Sequence, residues 1–105
     1  MIILTDDAAK DFQAIAEAAR QREGAAKGEQ IIDKIVKAAQ ELAHTPQKGG
    51  RLRELVDLGN REYREIFSGP YRLVYRLVEQ NIQVLLIADN RKDIRALLEQ
   101  RLLRV

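Results

Sequence analysis

REYREIFSGPYRLVYRLVE, residues Arg61–Glu79, reads as two β-strands joined by a tight turn at Ser68-Gly69-Pro70. Within Tyr71–Val78 the alternation is strict. Tyr71, Leu73, Tyr75 and Leu77 share one face, while Arg72, Val74, Arg76 and Val78 share the other. Period-two alternation marks a strand covered on one side and partly solvated on the other. The same stretch holds four of the five aromatic residues (Tyr63, Phe67, Tyr71, Tyr75) and the arginines Arg61, Arg64, Arg72 and Arg76. A solvated face of arginines beside aromatics suits phosphate or carboxylate. The same arginines equally suit ion pairs with acids across the sheet.

Working outward, Glu79-Gln80-Asn81 turns the chain into Ile82–Ala88, whose only polar residue is Gln83, as expected of a strand buried on both faces. Asn90, helped by Asp93, is a candidate cap for a last helix with Ile94, Leu97, Leu98 and Leu102 on its apolar side. Upstream, Arg51–Asn60 is ambiguous between a helical turn and an irregular edge. At the N-terminus Ile2–Leu4 reads as a short strand and Thr5 as an N-cap, with Asp6 and Asp7 at the positive end of the helix dipole. Ala8, Phe12, Ile15, Ala16 and Ala19 predict a helix to about Arg22, and Glu23–Gly28 breaks it. A second helix runs from about Glu29 to His44. Its wide stripe of Ile31, Ile32, Ile35, Val36, Ala39, Leu42 and Ala43 is expected to be buried, and Thr45-Pro46 stops it. The order β-α-α-β-β-β-α predicts a single α+β domain over residues 1–105. An N-terminal strand and helical hairpin pack on a mostly antiparallel sheet, with a C-terminal helix, and the far sheet face carries the arginines as a docking surface.

Charge is unevenly placed. Residues 1–50 hold seven Lys and Arg against eight Asp and Glu; residues 51–105 hold eleven against eight. Ten of those eleven are arginine, against two of seven in the first half, so the second half reads as the contact half. The overall +2 is too small to imply nucleic acid by itself. There is no cysteine, hence no disulfide and no thiolate chemistry. No apolar run approaches the roughly 18 residues of a membrane span, and MIILTDDAAK lacks the basic start of a signal peptide, so the expected location is the cytoplasm. The single histidine, His44, sits at a helix end, where it favours the dipole. One histidine and the helix-start acids Asp6, Asp7 and Asp11 make no metal cage, and nothing calls for a cofactor. What remains is positive charge: Arg72 and Arg76 on one strand, Arg64 on its neighbour, and Arg91 and Lys92 past the third strand converge on one patch if the strands pair in sequence. Glu65, Tyr63 and Tyr71 are proton-transfer candidates by residue type alone.

The segments ELAHTPQKGGRLREL, YREI…GPYRLVYRL, QVLLIADN and NRKDIRALLEQRLL resemble, in order and spacing over nearly the whole chain, the RelE/ParE superfamily of type II toxins. The resemblance implies a small bacterial toxin of a plasmid-stabilisation or stress module, neutralised by a cognate antitoxin that wraps an amphipathic segment around it. It implies one of two targets. RelE-like members cut mRNA on the ribosome with a basic cluster on the sheet; ParE-like members inhibit DNA gyrase and are not nucleases. Arg72 stands where the RelE-type strand arginine stands, and Arg91-Lys92 occupy the basic positions after the last strand. Glu65 replaces the expected lysine, Leu98 falls where a late catalytic tyrosine would, and no tyrosine follows Tyr75. Acid–base groups each contribute roughly 10²–10⁴-fold, so these losses would cost orders of magnitude in rate. The ending, with R-x-D before an arginine-bearing helix, is similar to the ParE-type ending, and ParE-like is the favoured subgroup. As a nuclease the chain would rely on Arg72, Arg91, Lys92 and Glu65. As a binder it would present Arg64, Arg72, Arg76, Arg91, Arg95 and Arg101 to target or antitoxin. A degenerate member that only binds antitoxin is the third alternative.

Overall fold

In the computed structural model, residues 1–56 and 62–102 are described. The chain runs β1 (Ile2–Leu4), α1 (Asp6–Glu41), β2 (Gly50–Arg51), α2 (Arg53–Val56), β3 (Tyr63–Ser68), β4 (Tyr71–Val78), β5 (Asn81–Asp89) and α3 (Ile94–Leu102). Arg61 and the last four residues of the ambiguous Arg51–Asn60 segment lie outside the described residues. The part of that segment that is described forms the edge strand β2 and one turn of helix, α2.

The five strands form one sheet in the order β1-β5-β4-β3-β2, antiparallel throughout except for the parallel pair β1–β5. Ser68 pairs with Tyr71, so the β3–β4 turn is the two residues Gly69-Pro70. Gly69 adopts φ 56°, a conformation open to glycine and awkward for residues with a Cβ.

Thr5 caps α1 as its sequence position predicts, its Oγ1 accepting from the Ala8 N–H at 3.1 Å. The expected break over Glu23–Gly28 shrinks to one residue. Gly24 leaves helical geometry at φ 85°, and the chain re-enters the helix at once. The two arms fold back on each other. Gly28 lies inside the second arm, where an added Cβ would stand 3.0 Å from the Arg20 backbone, and Arg20 pairs with Glu29 at 3.0 Å. The hairpin thus closes because one glycine permits the bend and a second permits contact.

One sheet face packs Leu73, Tyr75, Ile82, Val84 and Ile87 against Ala8, Ile35 and Leu42 of the hairpin arms and their end. The other face is not the open arginine surface expected of it. Val74, Leu86, Ala88 and Tyr63 form a second core with Leu52 and Leu55 from the α2 region and Ile94 and Leu98 of α3. Leu98 is fully buried there, a contribution of about 1.5–3 kcal/mol. The expected buried stripe on the second arm is also narrower, since Val36 is left exposed. The cap of α3 is Asp93 rather than Asn90: the Ala96 N–H donates to Asp93 Oδ1 at 3.0 Å, while the Asn90 N–H donates to the Pro70 carbonyl.

Two polar devices join these layers. The Tyr75 hydroxyl donates to the Pro46 carbonyl at 2.8 Å and accepts from the Gly49 N–H at 3.0 Å, pinning the loop before β2. A Cβ at Gly49 would stand 2.5 Å from that hydroxyl and 2.6 Å from the Glu65 carbonyl oxygen. The second device lies where β1 ends. Val74 pairs with Leu86 and Tyr75 with Val84, so Leu85 is an extra residue in a β-bulge. Beyond Val84 no strand among the described residues lies beside the outer edge of β5, and side chains serve instead. Asp11 of α1 accepts from the Ile87 N–H at 3.0 Å, and Arg101 of α3 donates to the Leu85 carbonyl at 3.0 Å. The two side chains form a bidentate pair at 2.6 and 2.7 Å.

Gly49→Ala should destabilise the chain by about 1–3 kcal/mol through overpacking, read from urea unfolding. Arg101→Ala should cost more, about 3–5 kcal/mol, because it strands the Asp11 carboxylate out of water. Arg20→Ala, which breaks an exposed pair, should cost less than about 1 kcal/mol.

Candidate functional site

The register separates the arginines that the sequence groups together. Phe67 pairs with Arg72 and Tyr63 with Arg76, so these side chains share the face that bears α2 and α3. Arg64 pairs with Tyr75 and takes the opposite face, where its guanidinium donates to the carbonyls of Gln47 at 3.3 Å and Gly49 at 2.7 Å. Arg64 therefore closes a loop and does not join Arg72 in one patch.

A cleft of about 560 Å³ opens on the α2–α3 side, lined by Arg51, Arg53, Glu54, Glu65, Arg72 and Arg95. Arg72 lies at its floor and is mostly buried. Its Nη1 donates to Glu54 Oε2 at 2.7 Å, and its Nε stands 3.4 Å from Glu65 Oε2. Neither of these last two atoms has a hydrogen-bond partner, so the Glu65 contact is Coulombic without a formed bond. Burial pushes the Glu65 carboxyl above its ordinary range, against the pull of Arg72. Burial pushes Glu54 the same way, but its hydrogen bonds and the charges of Arg72 and Arg53 prevail and leave it lowered. The guanidinium also lies 5.7 Å from the Phe67 ring centroid. Arg72 is thus already neutralised by its own chain.

Arg76 is committed as well, to Gln83 Oε1 at 2.7 Å and Glu62 Oε1 at 2.8 Å, with its guanidinium 5.6 Å from the Tyr63 ring centroid. Tyr63 is buried, and burial raises its phenol pKa, which suits a core residue better than a proton carrier. Arg95 is exposed and bonds Glu99 one turn along α3. Arg101 belongs to the Asp11 pair, whose hydrogen bond raises its pKa.

Arg91 and Lys92 fall elsewhere. They line a cavity of about 390 Å³ between α1 and the end of β5, together with Asp11, Arg22, Tyr71 and Asp89. Arg91 grips Asp89 through two side-chain bonds at 2.9 and 3.0 Å. These bonds, with one from the Arg91 N–H, hold the Asp89 carboxyl down at about 2. The cations placed together in the cleft are Arg51, Arg53, Arg72 and Arg95. Sequence reasoning missed Arg51, Arg53 and Glu54 because they sit in the stretch with no clear period. Their only signal was the arginine enrichment of the second half. Among the described residues no group of His, Cys, Asp and Glu could hold a metal ion, and no helix is long and apolar enough to cross a membrane.

The depressed Asp89 pKa carries a pH signature. The stabilisation it supplies is complete above the usual carboxylate value of about 4 and is lost as pH falls towards 2. A carboxyl-carbon NMR titration of Asp89 should show a midpoint near 2, returning towards about 4 in Arg91→Ala.

A family model described as "ParE toxin of type II toxin-antitoxin system, parDE" matches residues 2–94. Among solved structures, a chain of the chromosomal ParDE TA system from P. aeruginosa shares the fold with a TM-score of 0.69. It is 24% identical in sequence, over 84% of this chain and 92% of that chain. No curated protein matches.

Proposed function

The chain belongs to the ParE toxin family of type II toxin–antitoxin systems, and on that premise we propose that it is a toxin acting on DNA gyrase by protein–protein contact, held inactive by a cognate antitoxin. One observation carries the choice of a binding mechanism over RNA cleavage: Arg72 sits between Glu54 and Glu65. A nuclease of this shape would need that arginine, with Arg91 and Lys92, to stabilise the charge on a reacting phosphate. Two carboxylates beside Arg72 repel a phosphate, and Arg91 and Lys92 open on a different cavity. Leu98, at the position of a late tyrosine, is sealed in the second core and moves no proton.

An antitoxin segment has a matching surface. An apolar groove of about 290 Å³ runs between β1 and the second arm of α1, lined by Ile2, Leu4, Phe12, Val36, Ala39 and Val84 among others. Leu4 and Val36 are exposed beside it, and β1 is an edge strand. An amphipathic helix or an added strand would bury this surface.

Purified chain should inhibit gyrase-catalysed supercoiling, with the antitoxin restoring it. Full supercoiling in the presence of excess chain would sink the proposal. Codon-positioned cleavage of ribosome-bound mRNA, abolished in Arg72→Ala, would replace it with the nuclease reading. Induced expression without growth arrest would point to a chain that only binds antitoxin.

A further inference from the structure

Along β5 the backbone groups that face away from β4 come at alternate residues. Past the bulge they belong to Ile87 and Asp89: the Ile87 N–H points outward to Asp11, while the Asn90 N–H turns the other way, to the Pro70 carbonyl. A residue of a parallel neighbour would donate to one carbonyl on this edge and accept from the N–H two positions on. Asp11 and Arg101 make that pair of bonds with side chains. Arg101 donates to the Leu85 carbonyl and Asp11 accepts from the Ile87 N–H, both at 3.0 Å. The ion pair thus takes the place of one strand residue opposite Leu86, in line with β1, which is itself parallel to β5. The next such position lies opposite Ala88 and is framed by the Ile87 carbonyl and the Asp89 N–H. No hydrogen bond among the described residues takes either group.

That position opens on the cavity of about 390 Å³, to which α1 contributes the small side chains of Ala14 and Ala18 and β5 contributes Ile87, Ala88 and Asp89. The acids of the cavity are already matched, Asp11 to Arg101 and Asp89 to Arg91, so main-chain hydrogen bonds rather than charge define what fits. Strand edges with unpaired N–H and C=O groups recruit a further strand. From this register we infer that the position opposite Ala88 takes an extended segment of the antitoxin, running parallel to β5. One residue of that segment donates its N–H to the Ile87 carbonyl and accepts from the Asp89 N–H. The inference rests on the reading above in taking an antitoxin to be the partner. Continuity favours that partner, because the apolar groove and this cavity follow one seam between α1 and β5. Ile87 lines both, and Phe12 of the groove falls between Asp11 and Ile15 of the cavity. Ile87 packs on the hairpin face, so the residues flanking the paired one turn to α1, where the two alanines leave room.

Amide NMR on the isotope-labelled full chain tests this. In the free chain the Asp89 amide should exchange with solvent about tenfold faster than the Ile87 amide, which Asp11 protects. Equal protection of the two would overturn the inference, since the position would already be filled. The probe is the acetylated, amidated peptide Ser-Val-Ala-Val-Ser. It should shift the Asp89 amide resonance saturably. Its analogue with N-methylalanine at the centre should bind about fivefold more weakly, having lost the N–H for the Ile87 carbonyl. Equal binding of the two peptides, or no shift at Asp89, would overturn main-chain pairing. Ala18→Leu fills the cavity from a half-buried helix position. Thermal melting should hold, while peptide and antitoxin affinity each fall about tenfold. Lost gyrase inhibition in this variant with antitoxin affinity intact would overturn the inference in favour of the target as occupant. Equal antitoxin affinity and equal gyrase inhibition in wild type and variant would overturn it and leave the antitoxin reading standing. If no antitoxin binds the wild-type chain, that reading fails as well, and the peptides still decide whether the edge takes a strand.

Discussion

The pair between Asp11 and Arg101 carries more of this architecture than any other contact. β1 is three residues long and stops at Leu4, and among the described residues no strand continues along the outer edge of β5 just where the bulge at Leu85 disrupts the ladder. Backbone groups at that edge need partners, because an unpaired buried N–H or C=O costs about as much as a lost hydrogen bond. Asp11 supplies the acceptor and Arg101 the donor, and each neutralises the other. One comes from the first helix and the other from the last, so the pair also ties the layers on the two sheet faces together. Desolvating both charges is expensive, and only the bidentate geometry and the extra backbone bonds offset it.

A similar balance governs the cleft. Arg72 could have been an exposed strand cation, but α2 brings Glu54 over it and β3 brings Glu65 beside it. The consequence is functional. An arginine that is partly buried and already flanked by two carboxylates stabilises its own fold and has little field left for a phosphate. The apolar groove at the β1 edge is a separate surface.

The amino-acid pattern was a good guide wherever the deciding interaction was local. Thr5 caps α1 because a hydroxyl three residues before a free N–H needs nothing else. Gly69-Pro70 turns because glycine tolerates positive φ, and the strict alternation of Tyr71–Val78 set which residues share a face. The second core was harder to see. Val74 alternates with arginines and looked solvated, yet it is fully buried under α2 and α3. Val36 sits on an apolar stripe and looked buried, yet it lines an open groove. Periodicity reports which residues share a face, not which element later covers that face.

By itself, then, the order of residues determined the α+β class, the strand hairpin, the helical hairpin and the toxin family, all written in spacing, turn residues and local caps. Only the tertiary structure decided which charges meet. Arg64 and Arg72 are eight positions apart and face opposite ways; Asp11 and Arg101 are ninety apart and share two hydrogen bonds. Charge pairing falls off within a few ångströms and carries no sequence period. Arg64, Arg72 and Arg76 could therefore be counted from the chain, but whether each was spent on the fold or left for a partner was settled by the elements packed against it.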